Sequence, residues 1–153
     1  MPEPVRFRFE AEPVPAARPR VTTRGTFYPR AHEEYAEFLR QIFQAAPQFH
    51  TEKAVAVSLK FVMPPYKKSG RDFHLKDIDN LSKLPLDSMT KATHNGKPAK
   101  EGGIHRYWAD DSQIVHLTAM KRFARPGETP HTIVTIRSVE GSIEDYVDQE
   151  FEK

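Results

Sequence analysis

The 153-residue chain contains no cysteine. That excludes a disulfide framework, a thiolate zinc site and a cysteine nucleophile, and it suits a reducing cytoplasm. No run is apolar for long enough to span a bilayer. The opening MPEPVRFRFE lacks a long apolar stretch and a small-residue cleavage site, so it does not read as a signal peptide. Internal repeats and low-complexity tracts are missing as well. A chain of this length has room for one domain built around one core.

Charge is present but unevenly placed. Residues 140–153, EGSIEDYVDQEFEK, hold six acids and one base, a net of −5; the other 139 residues hold 22 bases and 15 acids, a net of +7. The expected organisation is a domain over 1–139 followed by an acidic tail over 140–153. A basic body suggests a polyanion partner, and the tail could compete for the same surface. The plainer alternative is a solvated surface with a disordered end.

Periodicity outlines the elements. In VRFRFE, Val5, Phe7 and Phe9 alternate with charged residues, the pattern of a half-buried strand. A Pro- and Arg-rich segment follows, in which Gly25 can turn a short hairpin between RVTT and TFY. Tyr35, Phe38, Leu39, Ile42, Phe43 and Ala46 fall at helical spacing from Arg30, and Pro47 stops the run. KAVAVSLKFVMPP alternates as a second strand, and YKKSGRDFHLK reads as a basic loop. Asn80 can cap a helix that runs to about Ala92, with Leu81, Leu84 and Ser88 on one face. Pro85 predicts a kink there or a later start, because it removes the hydrogen bond to the Leu81 carbonyl. THNGKPAKEGGIHRY reads as a Gly-rich loop; QIVHLTAMKRF and HTIVTIRSV read as two more strands with ARPGETP as their turn. The expected fold class is α+β: one two-layer domain, a mixed β-sheet with about two helices packed on one face.

The stretch KDIDNLSK, residues 76–83, carries the chemistry. In an extended segment, residues two apart point the same way, so Asp77 and Asp79 could aim both carboxylates at one cation. A divalent ion relieves the repulsion between them, and hard oxygen ligands without sulfur favour Mg²⁺ or Mn²⁺ over zinc. Such triplets are also common in surface turns. A second acidic pair, Asp110 and Asp111, stands just before a strand, where a sheet can offer side chains to a cleft. Lys83 lies four residues after Asp79 and could lean back toward it; an ion pair with Asp79 or Asp87 is the simpler reading. Carboxylates with a lysine fit metal-assisted phosphodiester hydrolysis.

KDIDNLSKLPLDSMTKA followed by YWADDSQIVHLTAMK closely resembles the RusA family of Holliday-junction resolvases, with its D-x-D-N-L-x-K, D, T-K-A and D-D-x-Q-V in order. RPRVTTRGTFYPRAHEEYAEFLR resembles that family's lead into its first helix. The likeness runs from about Val5 to Val139. It implies a Mg²⁺-dependent endonuclease that acts as a homodimer on four-way DNA junctions; the expected location is cytoplasmic, from the missing cysteines and signal peptide. Position by position it makes Asp77, Asp79 and Asp111 the essential acids and Lys83 the essential lysine, with Asp110 a fourth carboxylate. The segment between MTKA and WADD looks longer than the family's; its Lys97, Lys100 and Arg106 could touch DNA. A branched-DNA-binding protein without catalysis, and a nuclease for other branched DNA, are the alternatives.

Arg18, Arg20, Arg24, Lys67, Lys68, Arg71 and Lys76 could form a phosphate-binding rim beside the acids, or simply decorate solvated loops. Phe73 reads as a loop anchor, or as a stacking platform at an open junction. The seven histidines show no paired metal spacing; His116 reads as structural, and His74 could orient a water. Trp108 reads as core or interface.

Overall fold

The computed structural model describes residues 4–17, 20–45, 51–65, 70–89, 93–94, 97–98 and 111–153. The strands are β1 (Val5–Phe9), β2 (Arg20–Thr22), β3 (Gly25–Phe27), β4 (Val55–Met63), β5 (Thr93–His94), β6 (Lys97–Pro98), β7 (Ile114–Phe123) and β8 (His131–Ser138). The helices are α1 (Arg30–Ala45), α2 (Ile78–Met89) and α3 (Ile143–Phe151). Four strands form one mixed sheet in the order β1-β8-β4-β7. β8 is antiparallel to both β1 and β4, while β4 and β7 run parallel. Helices and strands share one core, so the chain is α+β, as its patterning predicts.

β4 is the centre of that core. Val55, Val57, Leu59, Phe61 and Met63 are all essentially inaccessible to solvent. They meet Val134 and Ile136 of β8, Tyr35 and Leu39 of α1, and Leu81, Leu84 and Met89 of α2. α1 starts at Arg30 as predicted and is described to Ala45; the predicted stop, Pro47, lies outside the described residues. The predicted hairpin forms between β2 and β3, where Gly25 takes φ 126°, a region open to glycine.

Three expectations change. First, α2 starts earlier than predicted. Leu81 N–H donates to the Asp77 carbonyl (3.1 Å), so Asp77, not Asn80, occupies the cap position. Pro85 sits inside the helix and is buried. An interior proline costs about 3 kcal/mol. Burying Leu81, Leu84 and Met89 returns roughly 1.5–3 kcal/mol each, so packing outweighs the defect. Second, ARPGETP does not join neighbours: β4 lies between β7 and β8. Third, the acidic end is not a featureless tail. Residues 143–151 are helical, capped by Ser142 Oγ, which accepts from Asp145 N–H (3.2 Å). This third helix lies along β7, where His116 Nδ1 and Tyr146 Oη are 2.8 Å apart. His116 is therefore structural, as expected.

The Gly-rich stretch contains the two-residue strands β5 and β6, paired antiparallel. Lys100, Arg106 and Trp108 lie outside the described residues, and so does the Lys97 side chain.

Candidate active site

The loop before α2 is fixed from beneath. Lys121 of β7 stands in register with Leu117, Ala119 and Phe123, on the sheet face that carries the core. Its Nζ donates to the carbonyls of His74 (2.7 Å) and Lys76 (2.6 Å). His74 is 2% exposed, its ring centroid 5.9 Å from that of Phe123. Its Nδ1 accepts from Lys76 N–H (3.2 Å), which leaves the proton of the neutral ring on Nε2. Burial first, then the charges of Lys76 and Lys121, hold the His74 pKa below its ordinary value. His74 is thus a buried anchor of this loop. Phe73, expected to anchor the loop, is 54% exposed; the anchor is its neighbour.

Anchored in this way, the chain presents Asp77 at the cap of α2 and Asp79 in its first turn, both exposed. The pair is not extended, as the sequence suggested: only Asp77 precedes the helix. Two carboxylates at a helix start also complement the positive end of the helix dipole, and this alone would stabilise α2. Lys83, exposed and one turn on, leans back toward the same end, as helical side chains do. Its Nζ donates to Asn80 Oδ1 (3.2 Å), in place of the expected ion pair with Asp79 or Asp87. Asp77, Asp79 and Lys83 thus lie at the cap and within the first two turns of α2.

The second acidic pair is held elsewhere. Asp111 opens a 3-10 turn, Asp111–Gln113, that leads into β7. Gln113 Nε2 donates to the carbonyls of Thr51 (3.0 Å) and Lys53 (2.9 Å), which fastens this turn beside the start of β4. The Asp77 loop is fastened at Lys121, which pairs with Phe61 near the other end of β4. Among the described residues no three His, Asp or Glu side chains are grouped to hold a metal. Asp110 and the Asp111 side chain lie outside the described atoms.

The basic residues are only partly in view. Arg24 and Arg71 are exposed, and Lys76 is half-buried. Arg18, Lys67 and Lys68 lie outside the described residues, as does the Arg20 side chain. The root of the Arg-rich hairpin does reach the first turn of α2. Ala16 N–H donates to the Asn80 carbonyl (2.8 Å), and Ala17 N–H donates to His32 Nδ1 (2.9 Å) on α1. A cavity of about 370 Å³ between α1 and α2 is lined by Tyr28, His32, Glu37, Leu84 and Asp87 among others; the acid pair does not line it.

Reading residue types alone misses Lys121 and Gln113 as the residues that position the loop and the turn. A signal for Lys121 was present: a lysine stands where the β7 alternation calls for an apolar side chain. No described helix is long and apolar enough to cross a membrane. No curated protein matches the chain. A family model, endodeoxyribonuclease RusA, matches residues 10–137, a span holding the anchored loop, both acidic pairs and all but the first strand of the sheet. This chain belongs to the RusA endodeoxyribonuclease family.

Proposed function

We propose that the protein is a Mg²⁺-dependent endonuclease that resolves four-way DNA junctions, working as a homodimer in recombination and repair. The observation that carries this reading is the double hydrogen bond from Lys121 to the His74 and Lys76 carbonyls. It fixes the loop that leads into α2, the helix whose cap and first two turns carry Asp77, Asp79 and Lys83. A helix cap needs no such support; a site that must hold geometry does.

The donor set suits a hard cation. Asp77 and Asp79 offer carboxylate oxygens and are open to water, which Mg²⁺ prefers to retain in its shell. A bound Mg²⁺ would supply Lewis acidity at the scissile phosphate. The protein's own groups do the remaining work. Lys83 places a positive charge beside the phosphate, and Asn80 holds its ammonium in place. Arg24, Arg71 and Lys76, with Arg18, Arg20, Lys67 and Lys68, supply cations for the DNA backbone. Asp111 and Asp110 complete the acid set.

The test is incubation with labelled four-way, flap and linear duplex DNA, in Mg²⁺ and in EDTA. Symmetric cutting of the four-way junction in Mg²⁺ alone is expected. Binding without cutting in every metal would overturn the catalytic reading, and equal cutting of flaps would overturn the junction assignment.

A further inference from the structure

The loop that enters α2 turns two large apolar side chains to water. Phe73 is 54% exposed and Leu75 51%, while His74 between them is 2% exposed. Single exposed hydrophobic residues are ordinary on a protein surface. This pair differs in its mounting. Lys121 Nζ holds the His74 and Lys76 carbonyls, one on each side of Leu75, and the His74 ring lies against Phe123. The anchoring that buries His74 therefore leaves both of its neighbours displayed on a fixed backbone.

It differs also in its surroundings. Arg71 and Lys76 stand at the two ends of the segment, against one acid, Asp72. Aromatic and apolar side chains set between cations suit unstacked bases on a phosphate backbone. The acid pair is close by. At about 3.6 Å per residue at most, Leu75 lies within about 7 Å of Asp77 and Phe73 within about 14 Å. Nucleotides in a duplex strand advance about 3.4 Å each, so a phosphate at the acids brings bases within about four nucleotides level with both side chains. In an intact duplex those bases cover one another. At a branch point the stack ends and base faces are laid open. A platform that is ordered beforehand meets them at little further entropic cost.

We propose that Phe73 and Leu75 dock against base faces laid open at a DNA branch point, Phe73 by stacking and Leu75 by filling the space beside it, and that this contact selects branched over linear DNA. Arg71 and Lys76 grip the backbone of either kind of DNA and carry no such preference. The inference rests on the junction-nuclease reading above and names the side chains that choose its substrate.

The test measures binding to a four-way junction and to a linear duplex of the same length and composition, in Ca²⁺ so that the DNA stays whole. The junction carries 2-aminopurine at its branch point, a base whose fluorescence rises when it leaves its neighbours. Wild-type protein should prefer the junction and raise the signal. The double variant Phe73→Ser with Leu75→Ser changes two exposed positions and should keep the wild-type melting temperature. It should bind the duplex as the wild type does, bind the junction at least about 5-fold more weakly, and leave the probe dark. Phe73→Trp, which keeps a stacking ring, should retain both preference and signal. A double variant with the wild-type preference overturns the proposal. Equal weakening on both DNAs overturns it too, since that marks a general disturbance of the loop. So does a change of oligomeric state by sedimentation, which would place the pair between copies. A wild type that binds both DNAs equally, or leaves the probe dark, overturns it whatever it cuts. Neither readout depends on cleavage, so a wild type that lights the probe but cuts no branched DNA removes the nuclease reading alone.

Discussion

α2 and α3 both open with acids, Asp79 in one and Glu144 with Asp145 in the other. Residue types alone do not separate them, and both patterns suit a helix dipole. What separates them is the rest of the molecule. α3 is capped by its own Ser142 and has no buried residue; its acids answer to local needs. α2 buries Leu81, Leu84 and Met89, and its entry is held by a lysine from a strand about 40 positions later. Acids at a helix start are commonplace. Acids at a helix start that a distant side chain fixes in place are candidates for chemistry.

The sharpest way to break this contrast is to remove one acid from each helix. Asp79→Asn should reduce junction cleavage by on the order of 10²–10³-fold or more, while junction binding persists or tightens, since one negative charge near phosphate is lost. Asp145→Asn should leave cleavage unchanged and move the melting temperature by no more than about 2 °C. Full cleavage by Asp79→Asn, in parallel gel assays, would place both helix starts in the same structural class. Replacing Mg²⁺ by Ca²⁺ should retain binding and abolish cutting, because Ca²⁺ accepts looser geometry; efficient cutting in Ca²⁺ alone would count against the acid pair as a Mg²⁺ site.

Lys121→Met tests the anchor while keeping the length of the side chain. Both carbonyl hydrogen bonds disappear, so cleavage should fall about 10–100-fold with the far-ultraviolet spectrum unchanged. Wild-type cleavage by Lys121→Met would mean that the loop holds its place without the clamp. A smaller effect should come from pH. The folded state resists protonating His74, whose pKa lies below its ordinary value. The unfolded chain takes up that proton near pH 6.5, so stability is lost as pH falls below about 6.5. His74→Gln should flatten this part of the profile, seen as a smaller melting-temperature difference between pH 7.5 and 5.5 than in the wild type. Equal slopes would show that His74 does not titrate in the folding equilibrium.

Much of the fold was legible because its signals are local. Alternation in VRFRFE and KAVAVSLKFVM marks β1 and β4, and the apolar spacing from Arg30 marks α1. Misreadings arose where distant contacts decide. Asn80 looks the better cap, yet burial of Leu81 and Leu84 sets the helix earlier, and Asp77 takes that position. A short turn suggests that β7 and β8 belong together; β4 comes between them because it is the most apolar strand and fills the centre. The acids and Lys83 were legible as a motif. Their support was not, since a lysine in a strand and a glutamine in a turn show their purpose only against the backbone they hold.

β8 has a consequence for how the chain comes into being. It comes after every other described strand, yet it lies between β1 and β4: Val5 pairs with Ile136, and Val57 with the same residue from the other side. Until residues 131–138 have left the ribosome, β1 has no partner in the sheet and one edge of β4 remains unpaired. The sheet therefore closes only once β8 has been made, through contacts of very long sequence separation, a slow class of folding reaction. A chain broken off before β8 cannot assemble the strand that carries Lys121 against a finished sheet. Strand order thereby leaves a chain cut short before β8 without a completed sheet behind the Asp77 loop.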